Sequence, residues 1–202
     1  MLIAQDICDQ FTDKELVEKS LADIDFFSCL YERFEPQLLR YINRITSLNN
    51  EEVEDVLQDA FIKIWRNLND FDHNLSLSSW IYRIVHNETI SFWRKKTSRG
   101  KDQNVAFDDH FKETISGDAN DIENKQAKEQ AIYPLLDRLP INYKTVLVLK
   151  FLESMSYQEI SDVLKIPEGT VATRINRAKK AFARIAKERG ISFDENFQNT
   201  SL

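Results

Sequence analysis

Apolar residues recur at steps of three and four along most of the chain, the period of a helix with one buried side. The first such stretch, Leu16, Val17 and Leu21, follows Thr12-Asp13-Lys14-Glu15, where Thr12 and Glu15 are spaced to exchange capping hydrogen bonds. Residues before Thr12 carry no comparable signal and are expected to fray. From about Asp25 the stripe Phe26/Phe27, Leu30, Phe34, Leu38, Tyr41/Ile42 and Ile45 predicts a long core-facing helix, with Pro36 a warning of a kink or break. Asn49 or Asn50 then caps a third helix whose apolar side is Val53, Val56/Leu57, Ala60/Phe61, Ile64/Trp65 and Leu68.

Between Phe71 and Ser79 the sequence FDHNLSLSS reads as a polar loop. Helical spacing resumes from Trp80 to Lys96, with Ile81, Ile84/Val85 and Ile90 facing inward. No sustained period spans Thr97 to about Asp121, which predicts a linker. Helix returns near Ile122, Leu139-Pro140 marks a break, and Val146, Leu147, Leu149, Phe151 and Leu152 form a strongly apolar helix. The last pattern is the sharpest. Ser156 and Glu159 form a second capping pair, Ile160, Val163 and Leu164 give one apolar edge, and Lys165-Ile166-Pro167 interrupts it. A further helix then turns Val171, Ile175, Ala178 and Phe182 inward. After Gly190 the tail looks loosely ordered.

These elements, with 42% hydrophobic residues and only four Gly and four Pro in 202 residues, predict an all-α chain. The predicted layout is two small helical domains, a helical bundle over residues 13–97 and a helix-turn-helix domain over 126–187. An acidic flexible linker over 98–125 joins them, and a tail occupies 188–202. The formal net charge of −6 excludes a surface that coats nucleic acid throughout. Charge is segregated instead. Lys165 to Arg189 holds eight Lys or Arg against two acids, and Trp80 to Gly100 holds five against one. Glu51 to Asp59 has five acids and no base, and Asp102 to Ala131 has eight acids against three Lys.

Cys8 and Cys29 lack metal-like spacing, and His73, His86 and His110 stand singly. Neither a disulfide framework nor a zinc site is indicated, no cofactor or metal is expected, and a reducing compartment is the default. With no apolar run near the roughly 20 residues that span a bilayer and no signal-peptide pattern, the protein is expected in the cytoplasm, without membrane insertion.

Three faces are candidates for chemistry. On the last helix, Thr170, Thr173, Arg174, Arg177 and Lys180 point outward. Two helices joined by about three residues, the second basic on its exposed side, match the geometry that places a recognition helix in the DNA major groove. An ordinary hairpin with a solvated basic face has the same pattern. In the helix from Trp80, the residues Trp80, Tyr82, Asn87 and Trp93 interleave aromatic faces and an amide with a basic end that includes Arg94, the combination on which single-stranded bases stack; the same aromatics can be core. On the third helix, Asp55, Gln58, Asp59, Ile62 and Arg66 lie opposite the apolar stripe. First-turn carboxylates can be explained by the helix dipole, but Asp59 lies too far along and Ile62 is apolar among charges. That face reads equally as a protein-binding or a solvated surface. No Ser-His-Asp, metal or phosphate-loop constellation supports an enzyme.

Three stretches in this order, Glu54 to Trp65 (EDVLQDAFIKIW), Ser79 to Ile90 (SWIYRIVHNETI) with its basic end, and Leu139 to Ile185, resemble the extracytoplasmic-function (ECF) group of bacterial RNA polymerase sigma factors. The resemblance covers about Glu15 to Ala186. It implies a non-catalytic subunit whose Asp55, Gln58, Asp59 and Ile62 dock on the clamp helices of the polymerase core's largest subunit. It further implies that Trp80, Tyr82, Asn87 and Arg94 hold the −10 promoter element, with a flipped base read by the Phe71 to Ser79 loop. Thr170, Thr173, Arg174, Arg177 and Lys180 would then contact the −35 element, and an anti-sigma factor would be a further partner. Two positions depart from the family pattern: Lys165 stands where a turn Gly is usual, and Ala172 stands where the second helix often has Lys or Arg. The competing reading is a stand-alone transcription regulator that binds duplex DNA as a dimer through Ser156 to Phe182, its N-terminal half serving as a sensor or dimerisation domain.

Overall fold

The computed structural model describes residues 3–73, 75–100 and 132–190, and these are helical throughout, with no strand among them. The expected linker from residue 101, the helix start near Ile122, His110 and the tail from residue 191 lie outside the described residues. The helices are α1 (Gln5–Cys8), α2 (Asp13–Ala22), α3 (Phe27–Ile45), α4 (Asn50–Arg66) and α5 (Leu77–Gly100). Then come α6, described over residues 132–136, α7 (Ile141–Leu147) running into a π-helical turn (Val148–Leu152), α8 (Tyr157–Leu164) and α9 (Glu168–Glu188).

Local sequence chemistry sets the starts. Thr12, Asn49 and Ser156 each accept a backbone N–H from Glu15, Glu52 and Glu159, and each glutamate returns the bond, closing three reciprocal caps. Leu30, Phe34, Leu38, Tyr41, Ile42 and Ile45 of α3 are buried, as are Val53, Val56, Leu57, Ala60, Phe61 and Ile64 of α4, so the predicted stripes are the core. Pro36 neither breaks nor ends α3. It lies on the exposed side, where water can satisfy the carbonyl that loses its partner.

Three other expectations are corrected. Residues 3–11 are not loose: α1 is tied to α3 by a Cys8–Cys29 disulfide, across a Cα–Cα distance of 5.3 Å. Arg33 adds hydrogen bonds to the carbonyls of Cys8 and Phe11 at 2.8 and 2.9 Å. Only the fold-back of α1 brings the two thiols together, so spacing alone gave no hint, and the cysteines supply no argument for a reducing compartment. The helix after the Phe71 loop begins at Leu77 and extends through Gly100, so residues 97–100 are helix rather than linker. Ser76 supplies the start, its hydroxyl accepting from Ser79 N at 3.4 Å. Finally, the π turn re-aims the end of the α7 stripe: Val148 and Leu149 are buried while Phe151 faces out.

The N-terminal helices pack α2 on α3, α3 on α4 and α4 on α5, and the C-terminal helices pack α7 and α8 on α9. The two groups also touch. Helix α8 lies along α5, and α3 meets α7 and the π turn, so α5 is covered from two directions.

Candidate nucleic-acid and partner interfaces

On α9 the inward positions Val171, Ile175, Ala178 and Phe182 are all buried, which fixes the opposite row by geometry. Thr170, Thr173, Arg177 and Lys180 are exposed and Arg174 is half-buried. The Thr173 hydroxyl donates to Gly169 O at 2.8 Å, so its donor is engaged within the helix. A polar groove runs between α9 and the start of α7, lined by Asn142 and Tyr143 as well as Gly169, Thr170, Thr173, Arg174 and Arg177. Sequence reasoning missed Asn142 and Tyr143 because they precede the recognition pattern by a whole helix. Lys165 ends α8 in the left-handed conformation, φ 52 and ψ 47, as the turn demands despite its side chain.

The face of α4 opposite the core brings Asp55, Gln58, Asp59 and Ile62 together in solvent. Ile62 is 48% exposed, an apolar side chain on the same face as Asp55 and Asp59. Nearby acids are not all available: Glu52 pairs with Lys96 and Glu88 with Lys63, each at 2.6 Å, tying α4 to α5. On the core side Tyr31 packs its ring 4.5 Å from that of Phe61, and its hydroxyl donates to Glu35 at 2.6 Å. That bond, with burial and nearby acids, pushes the Tyr31 phenol up to about 12.

Helix α5 divides its predicted residues. Asn87 and Arg94 are exposed, whereas Trp80 is 6% and Tyr82 1% exposed. Trp80 lies 5.3 Å from the ring of Phe71. Tyr82 packs 5.1 Å from Tyr41, and its hydroxyl donates to Glu153 Oε2 of the C-terminal helices at 2.6 Å. Burial and the Glu153 charge push the Tyr82 phenol far above its ordinary range. Behind it the Tyr41 hydroxyl meets His86 Nδ1 at 2.9 Å. Burial, assisted by the Arg94 charge, pulls His86 down to about 4. Arg44 completes the cluster: its guanidinium donates to Glu153 Oε1 at 2.9 Å and to the Tyr133 hydroxyl at 3.1 Å. Burial opposes the Arg44 charge, but Tyr133 and Glu153 outweigh it and hold the guanidinium protonated. Among the described residues no three His, Cys, Asp or Glu group as a metal site, and no helix is long and apolar enough to cross a membrane.

Comparison with known proteins assigns both halves. Residues 30–99 match the Sigma-70 region 2 family and residues 129–182 the Sigma-70 region 4 family. The ECF RNA polymerase sigma factor SigW of Bacillus subtilis is 31% identical over 180 residues, covering 85% of this chain and 94% of that protein. The RNA polymerase sigma-H factor of Pseudomonas aeruginosa is 32% identical over 181 residues, covering 85% and 92%. In fold, the chain is similar to CnrH, solved in complex with the cytosolic domain of CnrY. That match has a TM-score of 0.65 and 21% identity, and it covers 87% of this chain and 97% of that one. It is equally similar to the sigma factor RpoE of Bartonella quintana, solved with the anti-sigma factor NepR. Here too the TM-score is 0.65 at 21% identity, over 80% and 96% of the two chains. With region 2 accounting for the N-terminal helices, the reading of that half as a sensor of a stand-alone regulator has no support. The chain belongs to the ECF RNA polymerase sigma factors, the subunits that bind core RNA polymerase and direct its initiation at specific promoters.

Proposed function

We propose that this sigma factor divides its work among three faces, each carried by one helix. The exposed α4 face of Asp55, Gln58, Asp59 and Ile62 docks on the clamp helices of the polymerase's largest subunit. Helix α5 serves the −10 element through Trp80, Tyr82, Asn87 and Arg94. Helix α9 reads the −35 element through Thr170, Thr173, Arg174, Arg177 and Lys180, with residues 13–97 and 126–187 as the two working units. The observation that carries this reading is the separation of charge between exposed faces: Asp55 and Asp59 in solvent on the α4 face with Ile62, and on α9 a row with Arg177 and Lys180 in solvent. Acid suits a basic protein partner, and Arg suits guanine edges and phosphates.

The role is non-catalytic and exercised in the cytoplasm with the polymerase. An anti-sigma factor is a further expected partner, supported by the relative solved with NepR. The α4 assignment is tested with Asp59→Lys, which should abolish co-purification with core polymerase and run-off transcription while circular dichroism stays that of the parent chain. Normal association of that variant would reject the docking face.

A further inference from the structure

Glu153 sits where two donors from the other helical group converge. Its Oε1 accepts from Arg44 of α3 at 2.9 Å and its Oε2 from the Tyr82 hydroxyl of α5 at 2.6 Å. The ion pair is nearly closed to water, with side chains 12% exposed for Arg44 and 6% for Glu153. The partners are far apart in sequence, 109 and 71 residues. Arg44 and Tyr82 belong to the segment matched to region 2, and Glu153 to the segment matched to region 4.

Stability alone is a poor reason for this arrangement, because a buried ion pair is often no better than apolar residues filling the same space. Its shape has a different meaning. A guanidinium and a hydroxyl aimed at two oxygens of one anion form a receptor that fits a phosphate as well as a carboxylate. The surroundings are basic: the charge of Arg40 is felt at Tyr82 and that of Arg94 at His86. The ring of Tyr41 packs 5.1 Å from Tyr82 and holds that hydroxyl in place at the site.

We propose that Arg44 and Tyr82 form a backbone-phosphate site for the melted promoter strand, and that Glu153 fills it in the free subunit as an internal phosphate surrogate. The C-terminal helices are thereby latched over α5, and a strand phosphate must displace the Glu153 carboxylate before Tyr82 becomes accessible. The proposal rests on the reading of α5 as the −10 helix.

The test uses the full chain, with a fluorescein-labelled dodecamer of deoxythymidine as probe and small-angle scattering as the measure of closure. Glu153→Gln should expand the particle and tighten probe binding about tenfold, the factor equivalent to one good charged contact. Adding Arg44→Gln should keep the particle expanded but return the affinity to that of the parent. Adding Tyr82→Phe, which removes one hydroxyl only, should lose roughly threefold of the gain. An expanded Glu153→Gln chain with unchanged affinity would overturn the phosphate site, as would a gain that survives Arg44→Gln. An unexpanded chain would overturn the latch. Displacement of the probe by hexaglutamate at equal concentration would assign the site to an acidic protein partner and overturn the proposal. The α5 reading is tested apart from this: if Asn87→Ala and Arg94→Ala leave promoter opening by the holoenzyme intact, that reading fails, whereas impaired opening with no Glu153 effect rejects the latch alone.

Discussion

Helices α5 and α9 both carry residues expected to touch DNA, yet they present them in opposite ways. Helix α9 has its apolar row against α7 and α8, so most of the opposite row is outside, and Arg177 and Lys180 are in solvent. Helix α5 has neighbours on two sides, α4 on one and α8 on another. Tyr82, which lies off the Ile81, Val85 stripe, is therefore buried as deeply as that stripe. A period of 3.6 separates inside from outside only when a helix packs on one side. When a second side is covered as well, that face is written in another part of the chain.

This contrast predicts that acid attacks the two halves unequally, through His86. Unfolded, His86 titrates near 6.5, and folded it is held down at about 4, first by burial and then by Arg94. Between those values the unfolded chain binds more protons than the folded one. Stability from this group is therefore complete above pH 6.5 and is lost as pH falls towards 4, on the order of 3 kcal/mol in all. Urea unfolding followed between pH 7 and 4.5 should show that fall, and His86→Gln should flatten it relative to the parent. A parallel decline in both proteins would place the acid sensitivity elsewhere.

The exposed row of α9 should behave differently, affecting binding and leaving folding alone. Arg177→Ala removes a solvent-facing guanidinium, so the melting temperature should stay put. Affinity of the holoenzyme for its promoter should fall by roughly 1–3 kcal/mol, with relaxed preference at one −35 position. A panel of −35 variants weakened uniformly would make Arg177 a phosphate contact instead.

Much of the fold was legible in advance, for a physical reason: the caps and stripes are local. Thr12 with Glu15, Ser156 with Glu159 and the buried row of α9 each follow from residues within a few turns. What escaped was non-local. The Cys8–Cys29 bridge, the Arg44–Glu153 pair and the burial of Tyr82 all depend on how helices meet across tens of residues. The outward residues of α4 and α9 were legible because one-sided packing exposes whatever is left over. The site around Glu153 was not, since nothing near Glu153 in the chain names its partners.

The turn between α8 and α9 offers the finest test, because it separates strain from function within the C-terminal half. Lys165 holds φ 52, where a Cβ crowds the following carbonyl at a cost of about 1 kcal/mol. The neighbouring bonds fix it there: Ile166 N reaches Ser161 O at 3.4 Å, and the Ser161 hydroxyl donates to Ile166 O at 2.6 Å. Lys165→Gly removes the crowding, and the greater freedom of glycine in the unfolded chain cancels part of the gain, leaving a net stabilisation of about 0.5 kcal/mol. Thermal melting should register a small rise while −35 affinity at fixed salt stays unchanged, since the Lys165 side chain stands outside the α9 row. A loss of affinity with the same rise in stability would mean that Lys165 touches DNA itself, and would extend the reading surface from α9 into the turn.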